Sequence, residues 1–365
     1  MNDIREKRWI VLYIFFQVIV LLCISFVVIY IDPYFAYHKP NTNVFKYNLG
    51  LGNERLVDLG IAKNFDYDAI ILGTSMTENF KVTECENIYG VDLCVKTPVS
   101  GAKYNDVNNI CEIALKYHPD LKLVIRGLDT GSKYMIPQNA TEDLTYPYYL
   151  FDENKVNDIN YLLNKDVLID YCLKMSVERM RGTDAGITSF DTYANWAELF
   201  PCGRDNVLND YIPEKIILDG DGISEIEQII IKENIEENVV SLCEKYPETQ
   251  FYFFYPPYSI VSWAELGKKG QIYKQIDMQR YASGLILSAG YENVHLFDFA
   301  LMPGLITNLD NYKDAGHYGE HINSLMLKLM HKGEYELTIQ NYESYYEELY
   351  REIKSFEFES LDEEE

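Results

Sequence analysis

The sequence predicts an α/β protein: a mostly parallel sheet covered by helices on both faces in three α/β/α layers, preceded by one membrane-spanning helix. Two observations carry this. From about residue 68 to residue 331, short apolar runs of strand length alternate with amphipathic stretches of helix length, and such alternation builds a parallel sheet between helical layers. Near the N-terminus, one uncharged run is long enough to cross a bilayer.

That run, "IVLYIFFQVIVLLCISFVVIY" at residues 10–30, has Gln17 as its single strongly polar residue. A helix needs about 20 apolar residues to cross the hydrocarbon, whereas the apolar core of a cleaved signal is about 7–15 residues long. The following "IDPYFAYHKP" offers no small-x-small cleavage site. Arg5, Lys7 and Arg8 precede the run closely, so the positive-inside rule leaves the N-terminus in the cytoplasm; Lys39 and Lys46 on the other flank reduce the asymmetry. The expected organisation is a cytoplasmic N-terminus (1–9), a transmembrane helix (10–31), a Pro-, Asn- and Gly-containing linker (32–55) and an extracytoplasmic domain (56–335). A Tyr-, Asn- and Asp-rich insertion at about 130–222 reads as a partly helical cap, and an acidic tail (336–365) as a frayed, solvated end.

Within the domain, "DAIILG", "VDLCVKT", "LKLVIRG", "QFYFFY" and "NVHLFDF" read as strands. Residues 104–118 read as a helix with Val107, Ile110, Cys111, Ala114 and Leu115 on one face. Ser224 and Glu227 match a capping box that opens another helix. Helices are also expected at 273–288, ending at Gly290, and after His317. In such sheets ligands bind beyond the carboxyl ends of the strands.

Composition excludes some classes. The formal net charge is -25, with 57 acidic against 32 basic residues, which argues against a nucleic-acid partner and keeps the body of the protein off an anionic membrane surface. The 31 tyrosines offer rings that could stack on sugars or simply pack half-buried. The seven cysteines show no zinc-like spacing; Cys85 and Cys94 are candidates for a disulfide, which spacing alone does not establish. The Asn139-Ala140-Thr141 sequon is read as a chance match.

The chemistry starts at "DAIILGTSMTENF". A strand stops at Gly73 and hydroxyls follow at Thr74 and Ser75. By itself Ser75 is either a nucleophile or a helix N-cap. "GTSMT" lacks the second glycine of the G-x-S-x-G elbow, and no G-K-[ST] follows to make a phosphate loop. Far along the chain, "NYKDAGHYGEHIN" places Asp314 and His317 three apart, on one side of a helix or turn. An Asp that fixes the imidazole tautomer, and an imidazole that takes the proton of a serine hydroxyl, are two of the three parts that serine catalysis needs. The bland reading makes Asp314 a cap and His317 a surface residue.

These blocks resemble the SGNH/GDSL hydrolase family, and most of all its membrane-anchored branch found with bacterial cell-surface polysaccharide and teichoic-acid acylation. Gly73-Thr74-Ser75 stands where the family has Gly-Asp-Ser, and Asp314-Ala315-Gly316-His317 where it has Asp-x-x-His. Gly101 in "PVSGAKY" fits the glycine whose N–H joins the oxyanion hole. Gly127-Leu128-Asp129 stands where the family has Gly-x-Asn; an ionised Asp129 would repel an oxyanion unless it is protonated or turned away, for example toward Arg126. The resemblance spans about residues 68–331. It implies an SGNH-like domain, catalytic Ser75, His317 and Asp314, an oxyanion hole from Ser75 and Gly101 with Asp129 as the departing third member, and no metal or cofactor. It also implies a serine esterase or O-acyltransferase acting on cell-surface carbohydrate, with a membrane-bound O-acyltransferase as a possible partner.

Two other readings compete. His317 and His321, four apart, could bind a divalent metal together with Asp314 or Glu320. Alternatively the protein is a non-catalytic anchored scaffold that binds glycan or an acyltransferase, since fold does not fix function.

Overall fold

A computed structural model describes residues 2–50, 54–137 and 146–362. The 139–141 sequon lies outside the described residues, as do parts of the expected linker, insertion and tail. The chain divides into two compact units. One is Met1–Phe65 with Leu144–Ser189, the other Asp66–Asp143 with Phe190–Glu365. Among the described residues the strands are β1 (Lys46–Tyr47), β2 (Ala69–Gly73), β3 (Cys94–Pro98), β4 (Leu123–Gly127), β5 (Gly186–Ile187), β6 (Gln250–Tyr255), β7 (Val294–Asp298) and β8 (Glu336–Leu337).

The second unit contains a six-stranded sheet in the order β3-β2-β4-β6-β7-β8. The first five strands are parallel and β8 is antiparallel to β7. Every residue of β2, β3 and β4 is buried, which is why these strands read as continuous apolar runs rather than alternating ones. The register pairs Gly73 with Pro98, Gly127 with Phe254 and Tyr255 with Asp298, so the carboxyl ends align along one edge. From β2 the chain passes to β3 on one side and then to β4 on the other. The order therefore reverses between β2 and β4, the place where sheets of this kind form ligand crevices at the carboxyl edge.

Local sequence explains the helices around this sheet. Helix Tyr104–Tyr117 buries Val107, Ile110, Cys111, Ala114 and Leu115, the face its periodicity predicts. Helix Glu225–Ile235 begins with the reciprocal Ser224–Glu227 capping box. Lys96 is the exception in an apolar strand. Its ammonium is fully buried and donates to the carbonyls of Phe80 (2.9 Å) and Glu78, so the charge is satisfied inside.

The C-terminal segment differs from the expected frayed tail. Helix Tyr342–Ser355 buries Tyr346, Leu349 and Ile353 and packs on helix Ile272–Ser288. The glutamates between these positions mask the apolar spacing in the sequence. Tyr345 and Tyr346 also donate to the buried Asp298 carboxylate at 2.9 and 3.3 Å.

In the first unit, helix Asn2–Ile31 is long and apolar enough to cross a membrane. Residues 32–50, expected as a linker, are largely packed. Asp32 ends the helix with φ 46°, and its fully buried carboxylate accepts the N–H groups of Ala36, Tyr37 and His38 and the Tyr161 hydroxyl. A polar sequence here is a set of satisfied turns rather than a solvated stalk. β1 pairs in parallel with β5, so the expected insertion splits. Its 146–189 part belongs with the apolar helix and its 190–222 part with the large sheet. Cys85 and Cys94 are both free and buried; burial and a hydrogen bond with Cys85 push the Cys94 thiol well up.

Burial pushes the Asp298 carboxyl up to about 6, against the pull of the Ala300 N–H and the two tyrosines. A folded-state pKa above the usual carboxylate value makes this residue's contribution complete below about pH 4 and lost as pH rises through about 6. Asp298→Asn keeps the shape, and its amide can donate to Tyr346. The variant is expected to be more stable than wild type at pH 7, by about 1–2 kcal/mol, with the difference vanishing near pH 4. Denaturant titrations at a series of pH values check this; equal stability at every pH would contradict it.

Candidate active site

The turn after β2 carries the first site residues. Gly73 has φ +153°, and a Cβ there would lie 2.6 Å from the Thr77 methyl, so glycine is required. Ser75–Thr77 is a single 3-10 turn whose cap is Thr74: its Oγ1 accepts from the Met76 N–H. Thr74 thus takes the capping role that the sequence left open for Ser75. The Ser75 hydroxyl turns the other way and lies 2.8 Å from His317 Nε2.

His317 sits in a hairpin, not on a helix. Tyr312 and Tyr318 pair across it, the Lys313 N–H donates to His317 O and the Gly319 N–H to Asn311 O. Asp314 accepts from His317 Nδ1 at 2.9 and 3.0 Å, and its Oδ1 also accepts the N–H groups of Gly316 and His317. Partial burial pushes the Asp314 carboxyl up, but the His317 ring and these two N–H groups outweigh it and hold the pKa at about 2. Asp314 is therefore ionised at neutral pH. It fixes the tautomer with hydrogen on Nδ1 and the lone pair on Nε2, facing Ser75.

The hairpin is fastened on both sides. The Ser259 and Ser262 hydroxyls donate to Ala315 O at 2.6 Å each, and the Tyr312 hydroxyl to Pro257 O at 2.7 Å. The Tyr318 hydroxyl (3.0 Å) and Asn323 Nδ2 (3.2 Å) both donate to Met76 O, one residue beyond the serine. Lys96 holds the far end of the same turn through Glu78 and Phe80. Of these, only Lys96 leaves a trace in the sequence, as a lone charge in an apolar strand. Tyr318 and Asn323 look like ordinary residues of an amphipathic segment.

Asp129 departs from the expected pairing. Arg126 is buried elsewhere, donating to Tyr104 O at 3.0 Å and to Asn108 Oδ1 at 3.5 Å. The Asp129 carboxylate instead accepts the Thr74 hydroxyl at 2.7 Å and the Tyr258 hydroxyl at 2.6 Å. Burial pushes its pKa up; the Tyr258 and Thr74 hydroxyls and the charges of His317 and Lys133 pull it down. Arg126 turns inward because its strand position is covered by the helix of Tyr104 and Asn108, a packing fact that adjacency in sequence does not reveal.

Gly101 has φ +70°, and a Cβ placed on it would be 3.6 Å from Lys133 Nζ. Among the described residues, neither its N–H nor that of Ser75 has a protein acceptor. The Trp196 ring stands edge-on to His317 with centroids 6.0 Å apart, and Lys313 Nζ lies 3.9 Å from the Trp196 ring centre. Trp196 also borders a groove of about 760 Å³ lined by Lys81, Phe200, Cys202, His321 and Lys328. Trp196 comes from the expected insertion, and nothing in the sequence singled it out.

The metal pairing of His317 with His321 does not fit this geometry. Both His317 nitrogens are engaged, while His321 Nε2 faces Asn311 Oδ1 at 3.1 Å. Among the described residues no group of three His, Cys, Asp or Glu side chains is arranged to hold an ion.

Because Met76 O has two side-chain donors, Tyr318→Phe and Asn323→Ala are each expected to cost about 1 kcal/mol, and the double variant more than the sum, since it leaves a buried carbonyl unpaired. A double-mutant cycle in denaturant checks this; strict additivity would contradict it.

The chain matches no protein-family model, no curated protein and no solved structure.

Proposed function

We propose that the protein is a membrane-anchored, extracytoplasmic serine esterase or O-acyltransferase with an SGNH-like three-layer domain, acting on cell-surface carbohydrate. The observation that carries the chemistry is the relay Asp314–His317–Ser75, with 2.9 Å and 2.8 Å contacts on the two imidazole nitrogens. The carbohydrate acceptor, a membrane acyltransferase as partner and the cytoplasmic N-terminus rest on the family resemblance and on Arg5, Lys7 and Arg8 before the apolar helix.

In this mechanism Ser75 Oγ attacks an acyl carbonyl while its proton passes to His317 Nε2. The imidazolium is stabilised by Asp314. The N–H groups of Ser75 and Gly101 receive the oxyanion; donors of this kind are each worth about 2.7–4 kcal/mol elsewhere. As the tetrahedral species collapses, His317 returns the proton to the leaving alcohol and an acyl-Ser75 remains. Water or a sugar hydroxyl, deprotonated by His317, then takes the acyl group, and His317 returns the proton to the departing Ser75 Oγ. Asp129, with both oxygens accepting hydroxyl hydrogen bonds, is an acceptor rather than an oxyanion donor in this arrangement. Its part is to hold Thr74, and through it the Ser75 turn.

A serine-directed fluorophosphonate is expected to add to Ser75 in the full chain, detected by intact mass and peptide mapping. His317→Ala should cost about as much activity on an activated ester as Ser75→Ala, because members of one unit are non-additive. Asp314→Asn should lower kcat by up to about 10⁴-fold through the wrong tautomer, and His321→Ala should be mild. Glycan binding with neither adduct nor esterase activity would favour the scaffold reading and sink this one.

Asp129→Asn presents an amide to two hydroxyl donors, one of which must turn away. It is expected to lower stability by about 1 kcal/mol and to slow turnover far less than Ser75→Ala does. A faster enzyme at neutral pH would mean that the carboxylate opposes the oxyanion instead.

A further inference from the structure

In the unit that holds the apolar N-terminal helix, the helical stretch 167–180 has two unlike faces. Val167 and Cys172 point inward and are buried. Ile169, Leu173, Val177 and Met180 point outward as a stripe, with Leu173 48% and Met180 78% exposed. Val156 and Ile159, just before it in the chain, are also exposed, at 81% and 54%. Such a contiguous stripe on a soluble face calls for a covering phase.

The depth of this stripe follows from what the stretch packs on. Arg8 is the last charge before the apolar run, and the next charged residue is Asp32. About 20 residues at 1.5 Å each cross the hydrocarbon, so a helix entering at Trp9 reaches the far boundary near Val28. Val28 and Ile31 are not open to lipid; they are buried, and the helix packs against residues 159–162 and 167–173. The attachment is specific. The Tyr34 ring lies tilted against Tyr161 and edge-on to Tyr171, with centroids 5.0 and 5.5 Å apart, and the Tyr161 hydroxyl donates to Asp32 Oδ1 at 3.0 Å. A segment clamped to the last turns of a spanning helix lies at the level where that helix leaves the hydrocarbon.

We infer that residues 156–180 form an interfacial membrane element, with Ile169, Leu173, Val177 and Met180 inserted into the acyl–headgroup boundary of the same bilayer that the N-terminal helix spans. The covering phase is lipid because the stripe lies on a segment packed against that helix, whose residues from Trp9 to Leu22 are exposed along most of their length. The bordering Asp170, Lys174, Arg179 and Arg181 supply the polar margin of an in-plane amphipathic segment. The first unit is then a two-point membrane mount, one spanning helix and one surface helix, and the second contact restrains rotation of the unit about the first. This inference rests on the membrane-anchored reading.

The test uses the full chain in phosphatidylcholine–phosphatidylglycerol vesicles that contain nitroxide-labelled lipid. An environment-sensitive thiol fluorophore is placed on Leu173→Cys in a chain that also carries Cys23→Ser and Cys202→Ser; the remaining thiols are buried. A second sample carries the label on native Cys23, in the middle of the apolar helix, with Cys202→Ser. The label at 173 is expected to emit as in an apolar medium, to lose most of its fluorescence to headgroup-level nitroxide and to resist aqueous iodide. Quenching at 173 by iodide and not by lipid means that the stripe faces water, and overturns the inference while a lipid-quenched Cys23 label leaves the anchor intact. Quenching at 173 by neither means that protein covers the stripe, and overturns it too. A Cys23 label that lipid nitroxide does not reach would sink the anchored reading, and this inference with it.

Discussion

The hydrogen bond between Ser75 and His317 joins positions 242 residues apart, and the rest of this edge of the sheet is arranged to make that encounter reproducible. Neither partner could hold the other by itself: a neutral hydroxyl–imidazole contact is worth about 1 kcal/mol net, far less than the entropy of ordering two loops. The cost is met by a shared backbone acceptor. Met76 O receives Tyr318 from the His317 hairpin and Asn323 from the following helix, so the Ser75 turn and the His317 hairpin are parts of one hydrogen-bonded body. Lys96 on one side and Ser259, Ser262 and Tyr312 on the other tie that body to the sheet and its loops.

Three buried or half-buried carboxylates at the strand ends show how environment divides one functional group into separate roles. Asp314 has an imidazole and two N–H groups, and its pKa falls to about 2. Asp298 has two hydroxyls and one N–H, burial outweighs them, and its pKa rises to about 6. Asp129 is buried as deeply but feels His317 and Lys133 as well as two hydroxyls, with burial still the largest influence. The carboxylate held lowest is thus the one beside the imidazole, which the hairpin wraps with donors.

Much of the large sheet was legible in the sequence because buried parallel strands are continuous apolar runs and the intervening helices keep their 3.6-residue period. The residues 32–50 and 336–362 were not. In the first, polar side chains satisfy buried turns around Asp32; in the second, glutamates on the outer face of helix Tyr342–Ser355 dilute the buried Tyr346, Leu349 and Ile353. Composition counts residues without regard to which face they occupy, and both segments balance a buried face against a polar one.

By itself the sequence determined which atoms could do chemistry: a hydroxyl after a strand-ending glycine, and an Asp three residues before a His, because strand termini and short-range spacing are local properties. It also determined the long apolar helix, because crossing hydrocarbon is a matter of length and uncharged composition alone. Only the tertiary structure decided that Thr74 rather than Ser75 caps the turn, that Asp129 answers to Thr74 and Tyr258 and not to Arg126, that Trp196 stands against the imidazole, and that residues 167–173 pack on the apolar helix. Each of these depends on which distant segments share a surface, and a hydrogen bond's direction is set by that surface and not by the neighbours in the chain.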